Sequence, residues 1–309
     1  MRLTVPSTRI VALTLLAAAA ALTASSASRA AEPLRWKLHS GDKFDYAIVQ
    51  DMTMNVSGVP AGGSTTTMHQ QLDMQWEVKE VKADGDAIIG QTIKRVRMKM
   101  TGGNGEGFEY DSDNQQPATG MAAMFAPMYE AMMQGQIDVT MTARGEVTDV
   151  KIPDQLVTAL KSVPGAANMG DAATAEGFKK MFTQGAMTLP ETAPTEGEKW
   201  SSDIAMAAPM MGKITVETTY LYKGTKQVDG ATCAVIEPSL TTTFGGQTQV
   251  PMTVKDQSSG GQILFNEDAG RLQSSLIKQN MTLSAALGDR TIEQTIQQTT
   301  NVTLTPAAE

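Results

Sequence analysis

The chain has 309 residues, with 25 Lys and Arg against 33 Asp and Glu, a formal net charge of −8, two histidines and one cysteine. A surface of that sign repels nucleic acid and anionic lipid headgroups, which excludes such partners unless a local basic patch exists. The lone cysteine excludes an intrachain disulfide, and the length bounds the chain to one large or two modest domains.

Residues 1–30 read as an export signal. Arg2 and Arg9 give a positive start, residues 10–22 are weakly apolar, and Ser28-Arg29-Ala30 fits a small-x-small cleavage site. The apolar run is too short to span a bilayer, and no cysteine stands near the site to take a lipid. Taking Arg2, Arg9 and Arg29 from the 25 basic residues leaves 22 against 33 acidic ones, so the mature protein is more acidic still. The expected location is periplasmic or extracellular, without integral membrane segments.

Period-2 alternation dominates the mature chain. In residues 44–56, Phe44, Tyr46 and Ile48, then Met52, Met54 and Val56, share one face. After a turn at 58–64, residues 65–81 alternate again through Met68, Leu72, Met74, Trp76 and Val78. Asp84-Gly85 marks a tight turn, 87–100 the next strand and 102–107 a glycine-rich loop. Residues 119–134 change period: Met121, Met124, Met128 and Met132 recur at helical spacing beside Phe125 and Tyr129, with Pro127 restricting the helix. Residues 136–150 form strands around Arg144-Gly145. Helices follow at 154–161 and 171–184, the second with Asp171 as N-cap and Gly185 as its stop, then a linker at 190–197. Beyond it, 213–223, 232–244, 262–265, 270–279 and 291–304 read as strands, while 245–261 reads as a polar loop. The turns between them are Asp229-Gly230, Asp268-Ala269-Gly270 and Gly288-Asp289.

Three features recur in order. Gly41-Asp42-Lys43-Phe44 matches Gly197-Glu198-Lys199-Trp200, the Asp84-Gly85 turn matches Asp229-Gly230, and the hairpin at Gly145 matches that at Gly270. This predicts a duplicated β-meander: repeat 1 over 31–152 with a methionine-rich insertion at about 119–135, a helical connection and linker over 153–196, and repeat 2 over 197–309.

Chemistry-bearing motifs are few. The 21 methionines are the unusual component. Met52/Met54 and Met98/Met100 are same-face strand pairs, and with Met124 and Met128 they are the candidate lining of an apolar groove. Core packing is the plainer account of the same residues, and Cu(I) binding through thioethers with Met68-His69 is a third. Asp111-Ser112-Asp113-Asn114 starts like a calcium loop, but Gln115-Gln116-Pro117 supplies neither the glycine nor the closing glutamate. The glycine runs at 102–107 and 260–261 open no helix with Lys-Ser/Thr, so they read as hairpin loops. Lys94-Arg95-Val96-Arg97 reads as a solvated strand face and Cys233 as a buried, inert thiol. No nucleophile elbow, zinc-protease or Cys-x-x-Cys motif occurs, so no catalytic residue, metal site or cofactor is expected.

Trp36-Lys37-Leu38, Gly41 and Phe44 to Tyr46 together resemble the Trp-x-Leu-x-x-Gly-x-x-Phe-x-Tyr opening of an exported bacterial family of unknown function. The resemblance implies export and brings no activity. Strands with a few helices also look like the half-barrel carriers of lipids and lipoproteins in the bacterial envelope, a likeness of architecture alone. The fold expected is α+β and β-dominated: two related antiparallel β-meander sheets, curved or half-barrel, with short helical insertions. The function expected is a non-enzymatic envelope protein binding an apolar small molecule between sheet and Met-rich helices. The alternative is a structural or protein-interaction module with a solid core, whose partner is another envelope protein.

Overall fold

Alternating sequence becomes strand wherever a neighbouring strand can take its backbone. The computed structural model describes residues 32–59, 62–102, 107–114, 118–162, 174–208, 212–246, 252–287 and 290–305. The expected signal segment 1–30, Asp171, the loop tip 103–106, Gln115-Gln116-Pro117 and the Gly288-Asp289 turn lie outside them. Pro33–Glu309 forms one compact unit.

The first half supplies β1 (Lys43–Ser57), β2 (Ser64–Val81), β3 (Ala87–Thr101), β4 (Gly107–Asp111), helix α1 (Met121–Gln134), β5 (Ile137–Met141) and β6 (Val147–Lys151). Helices α2 (Asp154–Ser162) and α3 (Ala175–Gly185) lead to β7 (Lys199–Ala208), β8 (Gly212–Val228), β9 (Ala231–Gly245), β10 (Met252–Asn266), β11 (Arg271–Leu287) and β12 (Arg290–Thr305). All pair antiparallel in the order β6-β5-β3-β2-β1-β12-β11-β10-β9-β8-β7, with β4 also on β3. The class is therefore α+β and β-dominated, an open sheet rather than a closed barrel. None of the described helices is long and apolar enough to cross a membrane.

Both expected meanders are present, but they share one sheet rather than forming two. β1 pairs with β12 from Asp45↔Thr305 to Ser57↔Glu293. Two separate meanders would leave these long strands with unpaired N–H and C=O groups, and mutual pairing satisfies both. The meander openings share a hydrogen-bond pattern. Gly41 N donates to Val78 O (2.8 Å) and Val78 N to Asp42 O (2.9 Å); Gly197 N donates to Tyr222 O and Tyr222 N to Glu198 O, both 2.9 Å. Each opening is capped by its acid, Asp42 Oδ2 accepting from His39 N and Glu198 Oε2 from Thr195 N at 2.9 Å.

Three sequence expectations change. Residues 252–261, read as loop, belong to β10, whose ladder is supplied by β11. Gln257, Ser258, Ser259, Gly260 and Gly261 have little intrinsic strand preference, so only the partner strand makes them extended. At Gly261 the backbones approach so closely that a Cβ would run into the Leu276 carbonyl. Helix α3 begins at Ala175, and Thr174 is its cap, accepting from Gly177 N at 3.0 Å. Finally, β7 occupies residues for which the sequence predicts no strand beyond Trp200.

Most of the core lies on one face of the sheet, here the inner face, while Cys233, Val235 and Leu264 form a smaller buried cluster on the other. Phe44, Tyr46, Val78, Ile89, Val139 and Leu156 form one buried cluster; Tyr220, Tyr222, Ile236, Phe265 and Leu189 form another. Trp36 joins them, stacked on Trp76 (centroids 5.8 Å) and edge-on to Phe265 (5.5 Å). Its segment is held by Trp36 N to Ala143 O (2.8 Å) and Lys37 N to Gly270 O (2.9 Å). The sheet curls far enough that α3 packs on both edge strands, β6 and β7. Phe178 and Phe182 of α3 join the first cluster, and Gln184 Oε1 accepts from Ala205 N of β7 at 3.2 Å.

Gly145 tests how tightly this sealed end is built. It has φ +87°, and an added Cβ would stand 2.7 Å from Met187 O and 2.8 Å from Trp36 Nε1; Gly41 has φ +92° and open space. Gly41→Ala should cost about 1 kcal/mol through the left-handed backbone alone, and Gly145→Ala about 2 kcal/mol more because neighbouring backbone must shift. Urea unfolding of the two variants checks this; equal losses would show that Trp36 is not tightly seated.

Candidate functional site

Antiparallel register decides which side chains meet, because directly paired residues project from the same face. One inner row runs Met98–Gln70–Gln50–Thr300–Ile277 across β3, β2, β1, β12 and β11. The row two residues further from the sealed end runs Met100–Met68–Met52–Gln298–Gln279, and beyond it lies Thr66–Met54–Ile296–Met281. Between the first two, on the outer face, runs Lys99–His69–Asp51–Thr299–Lys278. Among the described residues of β1, β2, β11 and β12, inner positions from Gln50 outward carry no Asp, Glu or Lys, and their one Arg is Arg290 at the far end of β12. Apart from it, charge is sorted to one side of the sheet.

The inner face has two ends. Near Trp36 it is sealed by aromatic and branched side chains. Away from it, Met52, Met54, Met68, Met100, Ile296 and Met281 are half-buried and belong to none of the buried clusters. Gln294 Nε2 donates to Met54 Sδ at 2.6 Å and Gln298 Nε2 to Thr300 Oγ1 at 3.3 Å. Gln50 and Gln70, paired across β1 and β2, have no side-chain hydrogen-bond partner among the described residues.

A seam crosses this face between β9 and β10, which pair only over Cys233–Ile236 and Ile263–Asn266. Pro238 ends the ladder because it has no N–H to donate. Past it, side chains replace backbone. Ser259 Oγ accepts from Leu240 N (2.6 Å) and donates to Leu240 O (3.0 Å), while the Gln257 amide accepts from Thr242 N (2.8 Å) and donates to Thr242 O (3.3 Å).

The six methionines expected to line a groove separate. Met52, Met54 and Met100 lie on the open inner face. Met98 lies beneath α1, where the Tyr129 hydroxyl donates to its Sδ at 3.3 Å. Met128 packs into the same cluster, and Met124 is 50 % exposed. The face of α1 that meets the sheet carries Ala122, Ala126 and Tyr129 instead, so the methionine stripe is not its buried face. A cleft of about 660 Å³ does lie between β4 and α1, but Glu109, Asp111 and Glu130 are in its lining and Met133 is its methionine. Met68 and His69, weighed as a soft pair for Cu(I), point to opposite faces, and His69 Nδ1 meets Asp51 Oδ1 at 2.7 Å.

The remaining sequence candidates are structural. Arg95 takes Asp111 through Nε (3.0 Å) and Nη2 (2.7 Å), and Asp113 at 3.1 Å; Arg97 meets Asp73 at 2.7 Å. Both arginines of the basic cluster are thus paired with neighbouring acids. Cys233 is buried, and burial pushes its thiol up from the ordinary value. Burial pushes Tyr129 up to about 12, with Tyr110 stacked on it at 5.1 Å. The sequence did not single out the glutamines; the signal was their place on the same alternating face as Ile48, Met52, Met68 and Leu72.

Residues 84–270 match the family of unknown function DUF6263. No curated protein matches the sequence. Among solved structures, lipovitellin, determined for its lipid–protein interactions, is 12% identical with TM-score 0.47. That likeness covers 88% of this chain but 26% of lipovitellin, so the chain spans about a quarter of it. DynF from the dynemicin biosynthesis pathway of Micromonospora chersina is 9% identical over 88% of this chain and 85% of its own, with TM-score 0.22. An outer membrane channel from Pseudomonas putida F1 is 8% identical over 87% and 97%, with TM-score 0.24. All three TM-scores lie below 0.5, so none bears on what this chain does.

The Arg95 hydrogen bond holds the Asp111 carboxyl below its ordinary value. A depressed carboxylate stabilises above its unfolded pKa of about 3.9 and loses that contribution as pH falls through the folded value. Asp111→Asn should therefore lower the melting temperature at pH 7, and the difference from wild type should narrow as pH falls below the unfolded value. A gap that stays constant on acidification would mean that the carboxylate charge is not what Arg95 uses.

Proposed function

The chain is a member of the DUF6263 family, and since that family has no known function we propose one from geometry: a non-enzymatic, exported envelope protein that holds an apolar small molecule on the inner face of its sheet. The observation that carries it is the sorting of charge between the faces. Inner rows through Met52 and Met54 are uncharged and half-buried, whereas the interleaved outer row carries Lys99, His69, Asp51 and Lys278. An apolar concavity with a few polar groups is the usual setting of a small-molecule site. A barrel embedded in lipid has the reverse pattern, with its apolar band outside. Methionines suit such a lining because unbranched thioethers adapt to more than one ligand shape. Export rests on the features of residues 1–30.

The competing reading, an interaction module recruiting a partner strand, needs an accessible sheet edge. Here α3 packs against β6 and β7, which end the strand order, and α1 against β4, which pairs with β3 alone; this leaves less edge for a partner strand and supports the ligand-holding reading.

Native mass spectrometry of protein purified gently from its own envelope fraction tests the proposal. A reproducible extra mass, lost on solvent extraction, is expected. Met52→Glu should remove it by placing a charge on the inner face, at a cost of several kcal/mol if ligand buries that charge, while Thr53→Glu, one residue along on the outer face, should leave it. Bare protein throughout, or an adduct indifferent to Met52→Glu, would sink the reading.

A further inference from the structure

The inner face, uncharged around Gln50, also selects among apolar ligands, and on the reading above we infer that its ligand is a neutral lipid, an acyl chain bearing ester or hydroxyl groups, rather than a fatty acid or other lipid anion. The inner face is not uniformly apolar. Gln50, Gln70 and Thr300 are direct cross-strand neighbours, and Gln298 and Gln279 lie in the next row. Apolar rows bracket this belt: Leu72, Ile48 and Val302 toward the sealed end, Met54, Ile296 and Met281 away from it. Amides there serve a ligand whose polar group sits partway along an apolar body. The side chains of Gln50 and Gln70 have no partner among the described residues, so both keep donors and an acceptor to offer.

Nothing at the belt answers an anion: Arg290, at an inner position, is ten residues along β12 from Thr300, about 33 Å at strand rise. Lys99, Lys278, Arg95 and Arg97 project from the other face, and Arg95, Arg97 and Lys99 are occupied by Asp111, Asp73 and Glu109. Arg271 is placed at the sealed end, its guanidinium 5.1 Å from the Phe44 ring centroid. Phe44 precedes Gln50 by six residues on one strand, about 20 Å at strand rise. A carboxylate lodged among the amides would lose its hydration without gaining a counter-charge, whereas an ester or hydroxyl needs only the hydrogen bonds that the glutamines supply. The chain's acidic balance opposes an approaching anion as well.

Displacement of N-phenyl-1-naphthylamine from the purified protein by 1-monolaurin and by laurate, which share one acyl chain, tests this at pH 8.5 below their micelle concentrations. Monolaurin should displace the probe at a concentration at least about 10-fold lower than laurate, the discrimination expected of amides that meet a neutral polar group. Gln298→Lys, which puts one cation beside the belt, should lower the laurate-to-monolaurin ratio of displacing concentrations at least about 10-fold. Laurate equal to or better than monolaurin on wild type overturns the inference while the apolar-ligand reading stands. So does a Gln298→Lys variant in which that ratio stays at the wild-type value. Failure of the probe and both lipids to bind the wild-type protein removes the inference and the proposed function together.

Discussion

The pairing of β1 with β12 is the constraint on which the rest of the structure depends. It joins the first long strand to the last, Asp45↔Thr305 through Ser57↔Glu293, and so turns two meanders into one sheet. Without it each meander would end in a long strand with an unsatisfied edge, an invitation to aggregation. With it, Met52 acquires Met68 on one side and Gln298 on the other, and the inner rows become continuous from β3 to β11. It also brings the sheet's outer edges round to where one short helix, α3, touches both. A contact between strands so distant in sequence must be closed late, so folding should be slow for a chain of this size.

Stability and function occupy different ends of the same face. Around Trp36 the aromatic rings interlock, and the backbone of residues 36–37 is tied to hairpins from both meanders. That end resists change because close-packed interiors tolerate little displacement. The other end uses half-buried methionine, glutamine, threonine and isoleucine, which bury less area and adapt more readily. The seam past Pro238 continues the division: hydrogen bonds from Ser259 and Gln257 hold β9 to β10 through side chains, a weaker and longer connection than a backbone ladder. Regions with few buried contacts are the ones that open locally.

Much was legible in the sequence because strand geometry has a period of two. The alternation of Phe44, Tyr46, Ile48, Met52 and Met54 gave their common face, and the glycines at 85, 145, 230 and 270 gave the turns. The match between the openings at Gly41 and Gly197 identified segments that carry the same hydrogen bonds. The candidate site was half legible. Met52, Met54 and Met100 share the open inner face, whereas Met124 is exposed on α1, because helical spacing alone does not reveal which stripe packs. Ala122, Ala126 and Tyr129 won that contact, small residues letting the helix approach while the ring filled the space over Met98.

The sequence by itself determined, through local periodicity and turn chemistry, that this protein is an antiparallel β structure with short helices and that the strand at 44–56 has one apolar face. Only the tertiary structure decided that the uncharged faces meet in one sheet, that Gln50 stands beside Gln70 and Thr300, and that residues 252–261 are strand. Those outcomes rest on backbone hydrogen bonds between segments far apart in the chain, and a hydrogen-bonding partner leaves no mark on the local sequence that it completes.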